Sequence, residues 1–132
     1  MLFRSNNIHF IPFCSHKEII KIMRCSDLFI LPTRYDIWGL VVNEALSQGL
    51  PVITTTTCGA GLALIRNAYN GFIIPPDKPS AISDLINNSL TNHETLFEMS
   101  KNSLSSTREY TIENMARTYI DALKIYTQLN SK

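Results

Sequence analysis

Apolar residues follow two regimes along this chain. Up to about residue 77 they come in short blocks bounded by Pro, Gly, Thr and Asn, and from residue 79 onward they recur with a helical period. In the first regime residues 8–13 (IHFIPF), 27–32 (DLFILP), 51–55 (PVITT) and 72–74 (FII) read as buried strands. The second of them ends in a proline, which cannot donate to a sheet ladder. Between the first two, Ser15-His16-Lys17-Glu18 has the S-x-x-E form of a capping box, and Ile19, Ile20 and Met23 supply the inner face of the helix it opens. Residues 39–49 (GLVVNEALSQG) predict a helix of about ten residues, with a glycine suited to the position just past its end. Residues 54–61 (TTTTCGAG) read as a loop of small side chains, residues 62–66 as one or two helical turns, and Asn70-Gly71 as a tight turn. Pro75-Pro76-Asp77 closes this region.

In the second regime Ile82, Leu85, Ile86 and Leu90 mark one helix face, with Pro79 suited to the first helical position. A helix over residues 94–104 follows, with Asn92 as its candidate cap. The last helix covers residues 112–129, is capped by Thr111, and carries a broad stripe of Ile112, Met115, Ala116, Tyr119, Ile120, Leu123 and Tyr126. Strands alternating with helices through short loops predict a parallel sheet with right-handed crossovers. The expected architecture is α/β and Rossmann-like: about four parallel strands with helices on both faces, then a helical tail, divided as residues 1–77 and 78–132. A sheet of this kind holds its ligand at the carboxyl ends of its strands, here residues 13–16, 33–40, 55–61 and 75–77.

The length of 132 residues suits one domain. Twelve Lys and Arg against eleven Asp and Glu leave a net charge of +1 with interleaved signs, which argues against nucleic acid as a partner. An apolar fraction of 45% describes a packed protein rather than a disordered one. Cys14, Cys25 and Cys58 have no metal-ligand spacing and read as free thiols of a reducing compartment. The first residues lack the apolar core of a secretion signal, and no later run reaches the ~18–20 apolar residues of a membrane span, so a cytoplasmic location is expected.

One candidate loop concentrates polar chemistry. Residues 35–45 (YDIWGLVVNEA) place an acid in a loop, a glycine at a helix start and a second acid one turn inside the helix. The unpaired N–H groups and dipole of a helix start favour a phosphate by ~0.3–1 kcal/mol, and Gly39 lets a ligand come close. Leu40 and Glu44 share a face about 6 Å apart along the axis, within reach of a ribose beside a diphosphate at Leu40 and Val41. Acids near helix starts are also ordinary dipole partners, and Trp38 reads either as a ring for sugar stacking or as an anchor for its loop. His9, His16 and His93 are too scattered for a metal site, and no Ser or Cys has a partnered base or a nucleophile elbow. Asp27 begins its strand rather than ending it, which disfavours a phospho-receiver domain.

The run DIWGLVVNEALSQGLPVITT resembles the signature of the retaining, family 4 or group 1 glycosyltransferases of the GT-B fold: an acid, seven residues, a Glu, and then E-A-x-x-x-G-x-P-V-I. The preceding CSDLFILPT, the Cys58-Gly59 loop, Asn70-Gly71-Phe72, Pro75-Pro76-Asp77 and the final EYTIENMA extend the resemblance over nearly the whole chain. It implies that Asp36 bonds hydroxyls of a donor sugar, that backbone amides around Trp38, Gly39, Leu40 and Val41 hold sugar and diphosphate, and that Glu44 accepts from ribose hydroxyls. Cys14 and His16 fall on the segment that contacts the base. Asp36 and Glu44 are therefore the expected catalytic acids, although the family more often has Glu at the first position. The acid that often follows the paired small residues is replaced by Leu62-Ala63.

The resemblance implies transfer of a sugar from a nucleoside diphosphate to an acceptor hydroxyl with retention, in polysaccharide or lipopolysaccharide synthesis, without a metal or other cofactor. It also implies that an acceptor-binding domain, and the Arg and Lys that meet the leaving diphosphate, belong before residue 1. The expected partners are a nucleotide sugar together with an acceptor-domain polypeptide or a second copy through the C-terminal helix, and the complete enzyme would sit in the cytoplasm or at the inner face of a membrane. The alternative is a non-catalytic nucleotide-binding or partner subunit that needs another chain to complete its cleft. An epimerase acting on a nucleotide sugar is a third reading.

Overall fold

The computed structural model describes residues 7–129. Its elements run α1 (His16–Arg24), β1 (Phe29–Leu31), α2 (Leu40–Ser47), β2 (Val52–Thr55), α3 (Gly59–Leu64), β3 (Gly71–Ile74), α4 (Pro79–Thr91), α5 (His93–Thr107) and α6 (Ile112–Leu129). The strands form a parallel sheet in the order β1-β2-β3, with Phe29 opposite Val52 and Val52 opposite Gly71. This is the expected α/β architecture with one strand fewer.

The missing strand is residues 8–13, which pair with no strand; Ile8, Phe10, Ile11 and Phe13 are exposed. Apolar, β-prone residues become a strand only where a neighbour offers its N–H and C=O groups. Here the run reaches no strand edge among the described residues.

The central strand shows why this sheet is buried on both sides. All four β2 residues are buried, and the pleat sends Val52 and Thr54 to one face and Ile53 and Thr55 to the other. On the first face Val52 joins Met23 of α1, Val42, Ala45 and Leu46 of α2, and Ala60 and Leu64 of α3 in one core cluster. On the second, Thr55 shares a small cavity of about 230 Å³ with Pro79 and Ile82 at the start of α4. Helix α5 contributes Leu96, Met99 and Ser103 to the interior.

Local signals set most boundaries. The Glu18 carboxylate accepts the Ser15 backbone N–H at 2.7 Å, Asn92 accepts from Thr95 N–H at 3.0 Å, and Thr111 accepts from Asn114 N–H at 3.2 Å. Two expectations shift. Helix α3 starts at Gly59, inside the segment read as a loop, because its small residues let it lie close to the chain: a Cβ at Gly61 would stand 2.5 Å from Thr54 Cγ2. In α4 the buried residue is Ser89, while Leu90 is half exposed, since a step of seven residues stays on a helical face and a step of eight drifts off it.

Candidate functional site

The site grows from the carboxyl end of β1. Beyond Leu31 the chain cannot continue the ladder through Pro32, and it turns across the sheet edge to enter α2. Neighbouring threonines hold this turn: Thr54 and Thr55 hydroxyls donate to the Leu31 and Thr33 carbonyls at 3.0 and 2.7 Å, and the Thr57 hydroxyl reaches Thr33 O at 3.3 Å. Asp36 then forms a parallel bridge to Cys58, with Asp36 N–H donating to Thr57 O and Gly59 N–H to Asp36 O. The loop that carries the first acid is thus fastened to the loop after β2.

Gly39 caps α2 with φ 83° and ψ 59°, the left-handed region that favours glycine. It is also packed too tightly for a side chain, since a Cβ there would lie 2.7 Å from Cys58 Sγ. The Leu40 and Val41 N–H groups precede the first helical bond, which Val42 N–H makes to Gly39 O at 2.9 Å. They are therefore free donors at the positive end of a helix. Leu40 is exposed and Val41 half-buried.

Asp36 has a double position. Its Oδ1 accepts Trp38 N–H at 3.1 Å, which tightens the turn, and the rest of the half-buried carboxylate retains acceptor capacity beside Gly39. The Trp38 carbonyl accepts from Ala60 N–H at 2.6 Å and from Cys58 Sγ at 3.3 Å, while its indole N–H donates to Asn43 Oδ1 at 3.0 Å. Both polar ends of Trp38 are anchored and its ring stays half exposed. These contacts fit the loop-anchor reading of Trp38.

Glu44 lies in the second turn of α2 with its side chain 27% exposed, and His16 Nδ1 at the start of α1 comes to 3.6 Å from its Oε1. The structure therefore joins His16 to Glu44 and Asp36 to Trp38 and Gly39. Cys14 is a half-buried free thiol on the segment leading into α1. Across the same edge, Arg34 Nε donates to Asp77 Oδ1 at 2.8 Å, and that hydrogen bond and charge hold the guanidinium still more firmly protonated. Asn43, Cys58 and the threonine run support the site although no role was assigned to any of them; residues 55–61 were marked only by their place at a strand end, their small side chains and the resemblance of the Cys58-Gly59 loop, and nothing marked Asn43 apart from its place in the motif. Among the described residues, no three His, Cys, Asp or Glu side chains gather as a metal site would require.

A parallel α/β sheet with an open helix start at its carboxyl edge, flanked by two acids, has the α/β architecture of the GT-B fold. The sequence matches the family described as glycosyl transferases group 1 over residues 2–105, and the chain belongs to that family. It is 25% identical over 122 residues to the lipopolysaccharide glucosyltransferase WaaG of Escherichia coli K12, covering 92% of this chain and 29% of that protein. It is 36% identical over 86 residues to the UDP-Gal:alpha-D-GlcNAc-diphosphoundecaprenol alpha-1,3-galactosyltransferase of Escherichia coli, covering 64% of this chain and 21% of that one. The fold superposes on sucrose-phosphate synthase from Thermosynechococcus elongatus with a TM-score of 0.77 at 21% identity, over 96% of this chain and 31% of that one. The chain spans about a third or less of the length of these proteins.

Proposed function

We propose that this chain is the donor-binding part of a retaining glycosyltransferase, which transfers a sugar from a nucleoside diphosphate to an acceptor hydroxyl in polysaccharide or lipopolysaccharide synthesis. The observation that carries this reading is the start of α2, where Gly39 in the left-handed region leaves the Leu40 and Val41 N–H groups open between Asp36 and Glu44. The donors would take the diphosphate, Glu44 the ribose hydroxyls, and Asp36 the sugar hydroxyls. Cys14 and His16 would lie toward the base.

Cleavage of the donor develops negative charge on the departing diphosphate, and fixed N–H dipoles aimed at it stabilise that charge without reorganising. No metal or other cofactor is required in this reading, because the helix start, with the Arg and Lys that the family resemblance implies, meets the charge. The names of the relatives support the class of reaction. They belong to proteins at least three times the length of the matched segment, and in this reading the acceptor side of the cleft is built by polypeptide beyond that segment, in the cytoplasm or at the inner face of a membrane.

A second reading, a nucleotide-binding or partner subunit without catalysis of its own, is favoured by the openness of the site: Ile37 is 82% and Leu40 65% exposed. Titration of the full chain with UDP, GDP, ADP and their sugar conjugates, followed by amide NMR shifts, tests the donor-nucleotide site on which the first reading rests. Saturable shifts over residues 38–44 that select one base support donor binding. Shifts elsewhere, or none with any ligand, overturn it.

A further inference from the structure

His16 and Glu44 come from different helices, yet Nδ1 and Oε1 lie 3.6 Å apart, with the histidine 67% and the carboxylate 27% exposed. At the other end of α1, Arg24 Nε donates to Gln48 Oε1 at 2.8 Å, so a side-chain contact from each end of α1 reaches α2 or its C-cap. Glu44 is the only titratable residue on α2. Around His16 on its own segment stand the half-buried Cys14 thiol, the exposed Lys17, and Glu18, whose carboxylate is turned to Ser15. Asp36, before α2, directs Oδ1 to Trp38 N–H.

A carboxylate one turn inside a phosphate-binding helix has two opposed effects. It accepts from ligand hydroxyls and repels the diphosphate beside them, about 6 Å away along the axis. A cation against its outer oxygen relieves the repulsion and leaves the second oxygen for the hydroxyls. Imidazole is the side chain that gains such a charge between pH 8 and 5.

We propose that His16 is a positioning residue for Glu44: it orients the carboxylate toward ligand hydroxyls and, once protonated, offsets the repulsion between Glu44 and a diphosphate, so that a nucleoside diphosphate sugar binds more tightly as pH falls from 8 to 5.5. The inference rests on the donor-nucleotide reading of α2. Exposed ion pairs couple weakly, so the expected gain is about two- to fivefold in affinity.

The test uses UDP-glucose, GDP-mannose and ADP-glucose, whose diphosphates are esterified at both ends and keep their charge over this interval. Dissociation constants for the full chain are measured by NMR titration at pH 5.5, 6.5 and 8. Wild type should tighten two- to fivefold, His16→Gln and Glu44→Gln should show no such tightening, and His16→Lys should hold the tighter level throughout. Saturable wild-type binding without pH dependence, or a His16→Gln variant with the wild-type slope, overturns the inference and leaves donor binding intact. Absence of binding by all three sugars at every pH overturns both.

Discussion

Glu44 and Asp36 both look like acids at a helix start, but their surroundings give them different tasks. Glu44 has a free oxygen beyond its contact with His16, and Glu44→Ala is expected to weaken nucleotide binding by about 1.5–3 kcal/mol, the range for a hydrogen bond to a charged group. Thermal unfolding should be little changed, and unaltered affinity would reject the ribose role. Asp36 already serves its own turn through Trp38 N–H, so Asp36→Asn, which keeps an oxygen there, should preserve the loop and reduce affinity for a nucleotide sugar more than for the free nucleotide. Equal weakening of both ligands would make the acid structural. Asn70 is the residue whose importance was least legible: its sequence signature is only that of a turn, but it is fully buried. It accepts from Arg66 N–H at 2.8 Å and donates to Leu64 O at 3.0 Å and Ser106 Oγ at 2.9 Å. Asn70→Ala strands those partners and is expected to destabilise the fold by about 2–4 kcal/mol in urea unfolding.

At the scale of elements, local chemistry was a good guide wherever an end is fixed within a few residues. The cap at Ser15 is such a case. Hydrogen bonds from the Ser15 hydroxyl and then from its backbone N–H hold the Glu18 carboxyl below the usual carboxylate range. A depressed acid contributes its stability at pH values above its ordinary titration, and that contribution is lost as pH falls through the lowered value. Protection of the first-turn amides of α1, after correction for the intrinsic pH dependence of exchange, should therefore fall below about pH 4.5, the ordinary Glu range, and Glu18→Gln should remove that step. Unchanged protection through this range in wild type would contradict the cap. Helix α3 and residues 8–13 depart from the local pattern for the converse reason: small residues become a helix start where they must pass close to another chain segment, and an apolar run becomes a strand only beside a partner.

For the whole molecule, α6 borders a cavity of about 1080 Å³ with Ala63 and Leu64 of α3 and Ser105 and Ser106 of α5 but adds nothing to the core. None of its residues is buried, and Ile112, Tyr119, Leu123 and Leu129 are each more than 60% exposed. A chain ending at Tyr110 is expected to keep its urea midpoint, with a change within about 0.5 kcal/mol, as for surface substitutions that touch no core. A larger loss would place α6 in the folding unit. The same contrast separates what each level of description decides. The sequence by itself determined the alternation of strands and helices, the caps, the register of the Asp36 to Glu44 motif and its place after a strand, because hydrophobic period, capping and glycine conformations act over a few residues. Only the tertiary structure decided that residues 8–13 stay unpaired, that Asn70 is a buried hub, that Cys58 closes on Gly39, and that His16 faces Glu44. These depend on contacts between segments distant in the chain, and a contact of that kind has no local period by which it can be read.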